Sequence, residues 1–259
     1  MTENGDANKP AAKASGGPKS AITDSLSKPL PKRFYKEVTV GEGAFFPILL
    51  DGRVIKTPGK KALFLPARAL ADAVAAEWAA QTASIDPSTM PLTRFANTAI
   101  DAVSVALDEV AADIVAYAGR DLLCYRAEAP QDLAERQAKA WDRVLAWARE
   151  GLGARFDVAQ GVMPIDQPRA TLVAVANALQ PHDAFRLTAL HVMTTLTGSA
   201  ILALAHDRGA LDADQVWAAA QLDEDYQIAL WGEDYEASEK RKRRKAEFEA
   251  ASRFLKSLR

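Results

Sequence analysis

At Pro66 the hydrophobic rhythm of the chain changes, and that change constrains the fold more than any other feature. Before it, short apolar runs are cut by turn residues. "RFYKEVTV" ends at Gly41-Glu42-Gly43, "AFFPILL" at Asp51-Gly52, "RVIKT" at Pro58-Gly59, and "ALFL" closes the series. Asp-Gly between apolar runs is a strong hairpin signal, because the tight turn needs positive φ at both central positions. Gly41 and Gly43 supply the same freedom one turn earlier. The pattern predicts four short strands in an antiparallel meander. Pro47 is expected on an edge or at a bulge, since proline has no N–H for a ladder.

After Pro66 the period is helical. "PARALADAVAAEWAAQ" has proline in the first turn and places Leu70, Val74 and Trp78 at i, i+4, i+8. Leu92, Phe95, Ala96, Ala99, Ile100 and Val103 share a face, as do Leu107, Val110, Ile114 and Tyr117, with Gly119 as a cap. Trp141, Val144, Leu145 and Ala148 continue the rhythm to a stop at Gly151. "RFDVAQGVMPIDQP" reads as irregular or extended, and helices are expected near 168–179, 182–206 and 212–231, then a charged one to the end. Strands first and helices after is α+β: a small N-terminal antiparallel β-sheet with a covering helix, then a larger all-α domain. The expected units are residues 32–95 and 96–259. Residues 1–31 are rich in Lys, Pro, Ala, Ser and Gly and cannot bury enough surface to offset ordering entropy, so a disordered tail is expected there.

Composition narrows the function classes. A net charge of -2 gives no global field for nucleic acid or an anionic membrane. The lone Cys124 excludes an intramolecular disulfide and suits a reducing compartment. The N-terminus has no apolar signal core, and Glu3 and Asp6 without an arginine before Arg33 argue against a transit peptide. Leu187–Ala205 lacks Asp, Glu, Lys and Arg, yet Thr188, His191, Thr194, Thr195, Thr197 and Ser199 make it a buried helix rather than a membrane span.

Catalytic patterns fail one by one. "GRVIKTPGKKALF" has a phosphate-loop look, but Gly52 to Gly59 is too long an interval, Lys60 is followed by Lys61, and a strand follows where a helix is required. His191 lies in the apolar run with no Cys or carboxylate at ligand spacing and reads as a core histidine. Cys124 reads as buried packing, and no serine sits in a G-x-S-x-G elbow. No catalytic residue, metal or cofactor is expected.

Two charged stretches remain. Glu239–Lys245, "EKRKRRK", could neutralise phosphates, but the acids just before it favour an exposed, self-paired helix. Nucleic-acid binding through this run stays as the alternative function. In "QLDEDYQIALWGEDYEA", Asp223, Glu224, Asp225, Glu233, Asp234 and Glu236 surround Tyr226, Trp231 and Tyr235. An acidic helix end, acid–base chemistry and a protein-docking surface all fit that pattern.

Six blocks in order carry a further reading: "KRFYKEVTV", "LDGRVIKTPGKKALFLP", "AVAAEW", "MPLTRFANTAID", "DLLCYRAEAPQDLAERQAKAWDRVLAWA" and "LDEDYQIALWG". Together, over residues 32 to 236, they resemble the assembly factor 2 family of the ATP synthase F(1) sector. The resemblance implies a non-enzymatic chaperone that binds the free alpha subunit and shields the surface later buried against the beta subunit. It implies no nucleotide, no nucleic acid and no membrane insertion, and a monomer is expected. Bacterial members act in the cytoplasm and eukaryotic relatives in the mitochondrial matrix; this tail lacks an import presequence and points to the former. The family's functionally sensitive tryptophan falls on Trp78, and its sensitive glutamate on Glu224 or Glu233. The expected partner-binding set is Trp78, Glu224, Gln227, Trp231 and Glu233. For Trp78 both core packing and direct partner contact are open, with packing that supports the domain junction favoured because it shares a helical face with Leu70 and Val74.

Overall fold

A computed structural model describes residues 29–161 and 163–259. The tail expected over 1–31 lies outside the described residues apart from Pro29–Pro31, where the Pro31 carbonyl accepts the Ile85 N–H at 2.8 Å.

Strand β2 (Phe46–Leu50) is the centre of the sheet. Strand β1 (Val38–Val40) lies antiparallel on one side, in register from Val38↔Leu50 to Val40↔Ile48. Strands β3 (Arg53–Val54) and β4 (Phe64–Leu65) share the other side. The expected meander is therefore corrected: β4 returns to β2 instead of extending the sheet beyond β3. Two residues of β3 cannot cover β2, and the turn after Thr57 brings the Leu63 carbonyl back to the Ile48 N–H.

Pro47 is also corrected, from edge to central strand. Its carbonyl accepts from the Gly41 N–H at 2.9 Å, so the missing donor falls on the last rung, where β1 is already turning away. Gly41 serves this approach rather than a positive φ, since a Cβ there would lie 2.7 Å from Pro47 Cγ. The second turn is as expected: Asp51 and Gly52 take φ of 48° and 75°. Asp51 Oδ1 also accepts the N–H groups of Lys36 and Glu37 at 3.0 and 2.8 Å, and these bonds hold its carboxyl below the usual value.

Helix α1 (Arg68–Ala79) buries Leu70, Ala71 and Val74 against Ile48, Leu63 and Leu65 of the sheet. Helix α2 (Pro91–Asp101) runs through the expected 95/96 division and ties sheet to helices at its C-terminal end. There the loop that looked like a phosphate cradle grips a carboxylate of its own chain. Thr57 Oγ1 donates to Asp101 Oδ1 at 2.7 Å and the Gly59 N–H to Oδ2 at 2.8 Å. Lys61 Nζ donates to the Ile100 carbonyl at 2.8 Å.

The helical body continues with α3 (Leu107–Ala118), α4 (Gln131–Trp147), α5 (Arg169–Leu179), α6 (Ala184–Thr197) and α7 (Ala200–Asp207). It ends with α8 (Ala213–Ala220), α9 (Leu222–Trp231) and α10 (Tyr235–Lys256). The helix expected over 182–206 is two, because Gly198 takes a left-handed φ of 71° and Ser199 restarts the chain by accepting the Leu202 N–H. The one expected over 212–231 is likewise interrupted at Gln221. Gly119 ends α3 in the right-handed region, and the turn after α4 widens over Ala148–Leu152 to stop at Gly153, not Gly151. Within the piece read as irregular or extended, β6 (Ala159–Gln160) pairs in parallel with β5 (Tyr125–Arg126).

All eight residues of α7 are buried, so its end groups need internal partners. Asp121 provides one: Oδ2 accepts the Ile201 N–H at 3.1 Å while Oδ1 accepts that of Leu123 at 3.1 Å. Burial pushes the Asp121 carboxyl up from 3.8 to about 6, against the opposing pull of bonds from Ser199 and Ile201. A group that binds its proton more tightly when folded contributes stability fully present below its unfolded pKa, and that stability is lost as pH rises through the folded value. Urea unfolding at a series of pH values should therefore show Asp121→Asn gaining on the wild type between about pH 4 and pH 6, by up to about 3 kcal/mol. In the same assay, Asp101→Ala should cost about 1–3 kcal/mol, by stranding the buried Thr57 hydroxyl.

Candidate docking site

Helices α9 and α10 meet at an elbow, Gly232-Glu233-Asp234. Gly232 sits at φ 85°, ψ 172°, a region that is essentially glycine's alone. Asp234 caps α10 by accepting the Ala237 N–H at 2.8 Å, and Ser238 Oγ donates to Glu233 Oε1 at 2.7 Å. Further along, Arg241 of α10 donates to Asp225 of α9 and latches the two helices together. The base of α9 is rooted in α4: Gln137 Nε2 donates to Asp223 at 2.8 Å, and the buried Tyr226 hydroxyl donates to Asp132 at 2.9 Å. That bond to a carboxylate raises the Tyr226 pKa.

The elbow encloses a cleft of about 250 Å³ between the helices, lined by Glu224, Gln227, Ile228, Trp231, Glu233 and Ser238 among others. Four of the five expected partner-binding residues thus face one cleft. Trp231, which lines the cleft, is 86% exposed, and the residues flanking the elbow in the chain add Tyr235 at 79% and Leu230 at 58%. Single exposed apolar residues are ordinary, but three grouped at one glycine elbow form a surface suited to a partner.

Trp78 lies elsewhere. It is partly buried against Tyr35, with ring centroids 5.8 Å apart, and its carbonyl accepts the Tyr35 hydroxyl at 2.7 Å. It packs against both the main core and a smaller cluster of Tyr35, Leu50, Ile85 and Met90. It also lines a separate cleft of about 650 Å³ beside Phe34 and Val54, with its buried indole N–H unpartnered. Its neighbour Glu77, not singled out in the sequence, caps α2 by accepting the N–H groups of Leu92 and Thr93, each at 2.8 Å. A second surface also passed unnoticed in the sequence. Phe45, Pro47, Phe64, Ile100 and Phe185 line an apolar groove of about 580 Å³ where the sheet meets the ends of α2 and α6.

The remaining candidates resolve individually. His191 is not a core histidine: it is partly exposed and pairs with Asp113 of α3, Nε2 to Oδ2, at 2.7 Å. Helical spacing could not reveal that partner, 78 residues away in the chain. His206 is buried between the Leu211 carbonyl, to which Nδ1 donates at 3.0 Å, and Ser252 Oγ at 2.9 Å from Nε2. Burial lowers its pKa, consistent with a neutral ring accepting from Ser252. Cys124 is fully buried, and desolvation with the nearby Asp121 charge pushes its thiol up to about 12, which makes it inert. No three His, Cys, Asp or Glu side chains among the described residues converge to hold a metal. Part of the basic run is committed inward and to itself: Arg241 to Asp225, Arg244 to the Leu196 carbonyl at 2.6 Å, Lys242 to Glu239 at 2.8 Å. Three of its six cations are thus engaged within the chain, and Lys245 lies 3.9 Å from Glu249. No helix among the described residues is long and apolar enough to cross a membrane.

Residues 32–149 match the family described as ATP12 chaperone protein. The chain is 26% identical over 237 residues to "Protein atp12, mitochondrial" of Schizosaccharomyces pombe, covering 85% of this chain and 81% of that protein. Among solved structures, the Atu1473 protein of Agrobacterium tumefaciens superposes with a TM-score of 0.86 at 47% identity, over 94% of this chain and 92% of that one. Atp12 of Paracoccus denitrificans superposes with a TM-score of 0.84 at 42% identity, over 88% of this chain and 99% of that one. Identity at this level across nearly the whole fold agrees with the six sequence blocks: the chain belongs to the ATP12 chaperone protein family.

Proposed function

We propose that this chain is an assembly chaperone of the ATP synthase F(1) sector, that it binds the free alpha subunit as a monomer in the bacterial cytoplasm, and that it acts by masking rather than by catalysis. The observation that carries the docking assignment is Trp231, set almost wholly in water at the Gly232 elbow beside Glu224 and Glu233. Exposing an indole is unfavourable for a lone protein, and tryptophan anchors are enriched among residues that dominate binding energy. Membership of a chaperone family gives that surface a use.

The physical logic is mass action. An unassembled subunit exposes the apolar face it will bury later and aggregates through it. A chaperone that covers the face lowers the free concentration of sticky chains, then yields when the proper neighbour binds more tightly. Reversible masking needs a modest, partly polar interface. Exposed apolar residues at an elbow with carboxylates beside them have that character.

Replacing Glu224 and Glu233 together with lysine should abolish rescue of alpha-subunit solubility on co-expression, with the circular dichroism spectrum unchanged. Rescue at the wild-type level would remove these acids from the interface. Trp78→Ala should behave differently, lowering unfolding stability by about 3 kcal/mol. Its affinity for alpha, measured well below the unfolding temperature, should stay within about twofold of wild type. A tenfold loss of affinity in the folded variant would make Trp78 a contact residue.

A further inference from the structure

The elbow cleft has a size and a charge that specify more than a sticky surface. Its volume, about 250 Å³, falls below the roughly 300–1,000 Å³ of small-molecule sites and suits one side chain. Ile228, Trp231 and Ala237 contribute apolar surface to its lining. Glu224 and Glu233 bring carboxylates to the rim, with Asp234 beside them held as the α10 cap, whereas the lining has a single cation, Arg241, already engaged by Asp225. Glu224 forms no ion pair among the described residues, and Glu233 accepts the Ser238 hydroxyl with the exposed Lys242 ammonium in its field. Leu230 and Tyr235, next to the elbow along the chain, are also largely exposed.

Building on the chaperone reading above, we infer that this cleft receives one arginine or lysine side chain projecting from an apolar stretch of the partner. The aliphatic stem lies along Ile228 and Ala237, the charged head meets Glu224 and Glu233, and the Trp231 ring supplies a face for the cation. Long basic side chains bury their stems while keeping their heads at the polar rim, and a cation within about 6 Å of an indole face is attracted by its quadrupole. The apolar residues flanking the anchor pack on Leu230 and Tyr235. A purely apolar side chain would leave the carboxylates desolvated and unpaired, and an acidic one would be repelled. The rim thus selects the partner's charge while the exposed apolar residues supply contact area.

The experiment measures binding of purified alpha subunit to the full chain by calorimetry at several salt concentrations. The wild type should weaken as salt rises, because the anchor is electrostatic. Glu224→Gln with Glu233→Gln should bind at least tenfold more weakly at low salt and lose most of the salt dependence. Trp231→Ala should weaken binding further, and Trp231→Phe should restore part of it. In parallel, acetyl-arginine amide should shift the Trp231 indole resonance in the NMR spectrum of the isolated protein, while acetyl-leucine amide should not. If the double Gln variant keeps wild-type affinity and salt dependence, the cationic anchor is overturned while the chaperone reading stands. Failure of the wild type to bind alpha at all overturns both. Concentration-dependent dimerisation abolished by Trp231→Ala would reassign the elbow surface to a second copy of this chain and also overturn the anchor.

Discussion

The structure depends on a helix that has no exposed face. All eight residues of α7 are buried, so neither end of it can borrow hydrogen bonds from water. The N-terminal N–H groups go to Ser199 Oγ and to Asp121, a carboxylate drawn from the far side of the chain and itself fully buried. At the other end Arg186 donates to the Asp207 carboxylate at 2.8 Å and Arg259 to its carbonyl at 2.6 Å. Helices α3, α4, α6 and α8 pack around this axis, and α10 closes against α6 through Phe248, Phe254 and their neighbours. Satisfying one buried helix therefore recruits residues from Asp121 to the C-terminus.

The same economy of polar groups explains why the phosphate-like loop is silent. Its Thr57 hydroxyl and Gly59 N–H have the chemistry to hold an oxyanion, and the Asp101 carboxylate is the oxyanion they hold. A Cβ on Gly59 would meet Asp101 Oδ1 at 2.6 Å, so glycine is needed there for close approach to the chain's own side chain. The loop is a seam between sheet and helices. The acids near the elbow divide in a similar way: Asp223, Asp225 and Asp234 fasten α9 and α10, while Glu224 and Glu233 stand at the rim of the cleft.

Much of this was legible in one dimension. The change of period at Pro66 announced a sheet followed by helices, Asp51-Gly52 announced its turn, and the acid–aromatic stretch marked four residues that now line one cleft. The misses share a cause. Pro47 in a central strand, β4 returning to β2, His191 paired with Asp113 and Glu77 capping α2 all depend on a partner remote in sequence. Gly198 is the exception. Its position before Ser199 was a readable stop-and-start signal inside an apolar run, and hydrophobicity overshadowed it.

By itself the sequence determined the order of strands and helices, the turn chemistry and the segments that must be buried, because periodicity and backbone propensity are local quantities. Tertiary structure alone decided which polar groups are spent internally and which are left facing water. Whether a carboxylate caps a helix, closes a latch or waits at a cleft is set by what the fold places within about 3 Å of it, and no window of residues along the chain contains that distance.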